Sequence, residues 1–105
     1  MHKRILIANR GVIAERIRKT AERLSIEAVV AYTLADQHTL AVQNSIDNNK
    51  ICIGSGSVPE SYGKIDVIAN AARNKEVGAI HPGYGFLAES ARFASMVQLN
   101  GWDFI

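Results

Sequence analysis

Cysteine occurs once in the 105 residues, at Cys52, so no internal disulfide can form and the fold has to rest on its core. Set inside the apolar run Ile51-Cys52-Ile53, the thiol reads as a small buried hydrophobe rather than a nucleophile. No apolar run approaches the ~20 residues of a membrane span. The basic start, Met1 to Arg4, leads only into Ile5 to Ala8, far short of a signal-peptide core. These shortages predict a soluble protein with no membrane partner, placed in the cytoplasm or in an organelle lumen of similar redox state, the mitochondrial matrix included.

The usual emblems of nucleotide and metal chemistry are missing as well. No Gly-x-x-x-x-Gly-Lys-Ser/Thr loop occurs anywhere, and Gly11 stands alone where a dinucleotide fingerprint needs three glycines. His2, His38 and His81 are far apart and lack the spacing or cysteine partners of a metal site, so no metal is expected on this segment. Residues 1 to 23 hold seven of the twelve basic residues against only Glu15 and Glu22, yet contain no aromatic. A nucleic-acid surface would combine such charge with stacking rings, and no nucleic-acid partner is expected.

What is present is an alternation. Arg4 to Ala8 (RILIA), Glu27 to Thr33 (EAVVAYT), Lys50 to Gly54 (KICIG) and Val77 to His81 (VGAIH) read as strands, being short apolar runs bounded by turn residues. Between them lie helical patterns. Ile13, Ile17, Ala21 and Leu24 recur on one face of a helix over Val12 to Leu24, and Ile65, Ile68, Ala69 and Ala72 do so on another. Asp36 reads as the cap or first-turn acid of a short helix through Leu40 and Val42. Ser90 caps a last helix whose Phe93, Ala94 and Val97 face the core and which Gly101 ends. Trp102 to Ile105 begins a fifth strand, and a stop there suggests a chain that was cut or continues elsewhere. Ser55 to Gly63 is a loop.

Strand and helix in alternation over a single domain of 1–105 predict an α/β fold, a doubly wound, Rossmann-like parallel sheet of about five strands with helices on both faces. In such sheets ligands bind beyond the carboxyl ends of the strands, where the strand order reverses. With the order 3-2-1-4-5, two unusual loops meet there. One is Asn9-Arg10-Gly11 after the first strand, where a phosphate could meet the helix amides with Arg10 assisting. The other is His81-Pro82-Gly83-Tyr84-Gly85-Phe86 after the fourth, in which two glycines surround one displayed ring. His81 either pins that loop by hydrogen bonds or contributes to a site; Glu89 either serves the helix dipole or acts as a base. Neither supplies a complete catalytic constellation, and no catalytic residue is assigned.

The segments RILIANRGVIAERIRKT, VVAYTLAD, ICIG and AIHPGYGFLAES stand in the order and approximate spacing of the N-terminal domain of biotin carboxylase, and the whole chain resembles that family. The resemblance implies a pre-ATP-grasp domain, ending just before the ATP-grasp part of a ligase that uses ATP, magnesium and bicarbonate to carboxylate biotin on a carrier protein. The domain would wall the active-site cleft without holding the catalytic residues, and would be inactive alone. His81, Gly83, Tyr84 and Gly85 would lie on the biotin side, with Asn9, Arg10 and Gly11 lining the cleft. A downstream ATP-grasp domain, a biotin carboxyl carrier and a carboxyltransferase are the implied partners, and a homodimer through Arg16, Lys19 and Arg23 is a further one. This sequence departs from the family pattern at Val12, where glutamate is usual, in the longer Asn44 to Lys50 loop, and at Lys19 and Arg23, where opposite charges are usual. The alternatives are a stand-alone nucleotide-binding module using the Gly11 helix terminus and a domain of a carbamoyl-phosphate-type ATP-grasp ligase.

Overall fold

The computed structural model describes residues 3–54, 65–83 and 90–105. Five strands, β1 (Arg4–Ile7), β2 (Glu27–Tyr32), β3 (Lys50–Cys52), β4 (Ala79–His81) and β5 (Asp103–Phe104), form one sheet in the order β3-β2-β1-β4-β5, with every neighbouring pair parallel. This is the order on which the meeting of the two loops is conditional, and β1 is its central strand.

The strands are apolar on both faces because both faces are covered. Leu6, Ala8, Val29, Ala31 and Ile80 pack on α3 (Ile65–Asn74) and α4 (Ala91–Leu99) through Ile68, Ala71, Ala72, Phe93 and Val97. Ile5, Ile7, Ala28, Val30 and Ala79 point the other way, onto α1 (Gly11–Arg23) and α2 (Leu40–Gln43) through Ala14, Ala21, Ala41 and Val42. Successive strand residues serve opposite layers, which is why the runs lack polar alternation. Ser90 caps α4 by accepting the Phe93 N–H at 3.1 Å, and Gly101 ends that helix with φ +80°.

Four expectations fail in detail. Cys52 is exposed, not buried: β3 is an edge strand of three residues, Ile51 turns toward the α3–α4 layer, and among the described residues only the four-residue α2 is available on the side where Cys52 stands. Leu24 is 55% exposed because α1 ends at Arg23 and no helix of the described residues covers the β4–β5 half of that face. Asp36 does not cap α2, which starts four residues later behind Thr39; it is buried in a short 3-10 turn instead. Ala94 is half-buried, leaving Phe93 and Val97 as the fully buried residues of α4. The loop over Ser55 to Gly63 and the residue Glu89 lie outside the described residues.

The guanidinium of Arg4 gathers the amino ends of the sheet. Its Nε donates to the Lys75 carbonyl at 2.7 Å, Nη2 to the Asn48 carbonyl at 2.8 Å, and Nη1 to Asn49 Oδ1 at 3.0 Å and to the Glu27 carboxylate. On α1, the 8%-exposed Glu15 accepts from Arg18 and from Asn44 Nδ2 at 2.8 Å, tying the helix to the end of α2. Arg18 and Asn44 hold the Glu15 carboxyl below the usual carboxylate range against the opposing effect of burial.

Candidate functional site

Strands β1 and β4 are neighbours, in register Ile5 to Ala79 through Ile7 to His81, so the chain leaves both at the same level of the sheet. The Ala8 N–H continues the ladder to the His81 carbonyl at 3.0 Å. One residue on, the Asn9 side chain takes over: Nδ2 donates to the Pro82 carbonyl at 2.7 Å, and Oδ1 accepts the Arg10 N–H at 2.7 Å. A single amide therefore links the start of α1 to the loop after β4. The two unusual loops do meet at the switch point.

Gly83 sits against this link. Its φ is +69°, and a Cβ built there would lie 2.7 Å from Asn9 Nδ2 and 2.8 Å from Ile13 Cγ2. Both the dihedral and the space demand glycine. The Gly83 N–H donates to His81 Nδ1 at 3.0 Å, closing a small ring that aims the chain onward. In this geometry Nδ1 serves as an acceptor, the arrangement of a neutral imidazole with its hydrogen on Nε2. Burial pushes its pKa below the ordinary value.

Arg10 is fixed from the other side. Its Nη2 donates to Asp36 Oδ1 at 2.6 Å, while Asp36 Oδ2 accepts from the buried Thr33 hydroxyl at 3.0 Å. Half of the Arg10 side chain remains exposed, whereas Asp36 is almost wholly covered. Thr33 and Asp36 were not singled out for the site by sequence, although the signal is visible afterwards. They follow β2 as Arg10 follows β1, and adjacent parallel strands bring such residues together.

Of the residues read as site candidates, Asn9 is bonded to Arg10 and to Pro82, which stands between His81 and Gly83, so the ends of the two loops adjoin, with Gly11 next to Arg10 at the start of α1. Tyr84 and Gly85 lie outside the described residues. Arg16, Lys19 and Arg23 are elsewhere, exposed along α1. Arg16 borders a hollow of about 430 Å³ that Ile5, Ile17, Leu24, Ile26, His81 and Ile105 line. Among the described residues no group of three or more histidine, cysteine or acidic side chains gathers as a metal site, and no helix is long and apolar enough to cross a membrane.

Comparison with known proteins gives one consistent picture. The family model described as biotin carboxylase, N-terminal domain, matches residues 1–105. The biotin carboxylase of Halalkalibacterium halodurans is 46% identical over 105 residues, which is 100% of this chain and 23% of that protein. Among solved structures, the biotin carboxylase complex from Campylobacter jejuni superposes with a TM-score of 0.92 at 39% identity, over 99% of this chain and 23% of that one. The urea carboxylase of Kluyveromyces lactis does so with a TM-score of 0.92 at 38% identity, over 98% of this chain and 9% of that one. The chain therefore spans under a quarter of the length of these relatives.

Proposed function

The chain belongs to the biotin carboxylase N-terminal domain family, and from that membership we propose that it forms one wall of the active-site cleft in a larger ligase that carboxylates biotin with ATP and bicarbonate. The observation that carries this reading is the union of the two switch-point loops through Asn9, whose amide bonds Pro82 on one side and Arg10 on the other. A wall made this way is backbone held rigid on both sides, suited to meeting a neutral ureido ring by shape and backbone hydrogen bonds rather than by charge.

The described residues carry no set of side chains that would hold a triphosphate with its magnesium. That work belongs to the ATP-grasp part that follows in proteins of this family, and the 105 residues are inactive alone. His81 and Gly83 are assigned to the biotin side, a role the family resemblance extends to Tyr84 and Gly85; Asn9, Arg10 and Gly11 brace the cleft. A carrier protein brings the biotin, a carboxyltransferase receives the carboxylated form, and Arg16, Lys19 and Arg23 are available to a subunit contact.

The test is ADP release with bicarbonate, ATP, magnesium and free biotin, measured on this chain and on the product of its gene read past Ile105. Biotin-stimulated turnover is expected from the longer product alone. A longer product that never responds to biotin overturns the proposal.

A further inference from the structure

His81 is the last residue of β4, and its main chain and side chain serve two different elements. The carbonyl accepts the Ala8 N–H and so fixes the end of β4 to the central strand. The ring accepts the Gly83 N–H through Nδ1 and so fixes the first turn of the loop. Its surroundings keep it able to accept. The ring borders the apolar hollow beside Ile5, Ile17 and Ile105, and the charged side chain that shares that lining among the described residues is the cation of Arg16. Among the described residues no acidic side chain lines the hollow to stabilise an imidazolium, and burial acts in the same sense.

We propose that His81 is a positioning residue for biotin. As a neutral imidazole with its hydrogen on Nε2, it holds Gly83 in the left-handed conformation from which the glycine-tyrosine loop departs. A proton on Nδ1 would set one donor against another, and the bond that restrains Gly83 from the end of β4 would be lost. Among the described residues, the Asn9 bond to Pro82 and the Ala8 bond to the His81 carbonyl would remain to place the cleft wall. The ring makes no bond to a reacting atom in this account; it acts through Gly83. The consequence for biotin rests on the carboxylase reading above, whereas the state of the ring does not.

Two measurements separate these levels. Nitrogen-15 spectra of the ring and of the Gly83 amide in this chain should show an unprotonated Nδ1 at neutral pH, with both signals moving together when the ring is finally protonated. In the full-length product, His81→Leu should raise the KM for biotin roughly tenfold, the scale of one lost hydrogen bond to a covered amide, while leaving the KM for ATP near its starting value. His81→Asn places Oδ1 where Nδ1 stood, so it should restore biotin KM to within about threefold and remove any dependence of that KM on ring protonation. A ring with Nδ1 protonated at neutral pH overturns the proposal, as does an Asn variant as impaired as the Leu variant. Should the Leu variant fail to fold, the Asn variant and the ring spectrum still decide. If the full-length product shows no biotin-stimulated turnover, the carboxylase reading falls and the spectra still decide the state of the loop.

Discussion

Replacing Gly83 by alanine tests whether the crevice is held as described. The new methyl group would meet Asn9 Nδ2 at 2.7 Å and Ile13 Cγ2 at 2.8 Å, on a backbone with φ +69°. The left-handed conformation costs an L-residue about 1–2 kcal/mol. Driving the Asn9 amide aside forfeits its bond to Pro82, worth about 1 kcal/mol, and crowding Ile13 costs on the order of 1 kcal/mol more. Restricting the unfolded chain returns roughly 0.5 kcal/mol. The net loss is about 3 kcal/mol, which in urea moves the unfolding midpoint down by about 2 M at a slope near 1.5 kcal/mol/M. The informative step is the cycle with Asn9→Ala. Removing the amide removes the harder of the two collisions, so the alanine at 83 should cost about 1 kcal/mol less in that background. A loss below ~0.5 kcal/mol for the single variant, or costs that add to within ~0.3 kcal/mol in the double variant, would refute the reasoning.

Glu15→Gln should lower stability by about 1.5–3 kcal/mol by weakening the charge-assisted bonds to Arg18 and Asn44. Because the folded pKa of Glu15 lies below the ordinary 4.5, its contribution is complete above pH 4.5 and is lost as pH falls through the folded value. Urea titrations below pH 4.5 should therefore converge for wild type and variant; parallel curves would show that Glu15 is not the group responsible. Ser25 stands just past α1 with φ 59°, and Ser25→Gly should raise stability by about 0.5–1 kcal/mol, with an unchanged or lowered melting temperature counting against strain at that position.

Much of the fold was legible because its signals are local. An apolar run between turn residues marks a strand wherever it sits, and the alternation of strands with helical patterns leaves few topologies for Arg4 to Phe104 to follow. The crevice was legible for a topological reason: residues just past β1 and β4 must meet if those strands are neighbours. Features that depend on what lies opposite were not. Cys52 looks buried in its run, and its exposure follows from β3 being an edge, which is a fact about the whole sheet. Leu24 continues the spacing of α1 but arrives where the helix has ended. Glu15 looks like a surface charge until Asn44, 29 residues away, is placed against it. Asp36 sits where a helix cap is common, and only its adjacency to Arg10 reveals the pair.

The Arg4 guanidinium bears on how the chain finds one alignment among several. A central strand that is greasy on both sides gives little penalty for sliding by one residue, since Leu6 and Ala8 could trade layers with Ile5 and Ile7 and still be covered. The polar anchors at its two ends admit no such trade. Arg4 reaches Lys75, Asn48 and Glu27 from a single height, and Asn9 reaches Pro82 from another. The strand is strung between them like a cord between two pegs, and the uniqueness of this sheet comes from its few charged and amide groups while its mass of aliphatic carbon supplies only the pull.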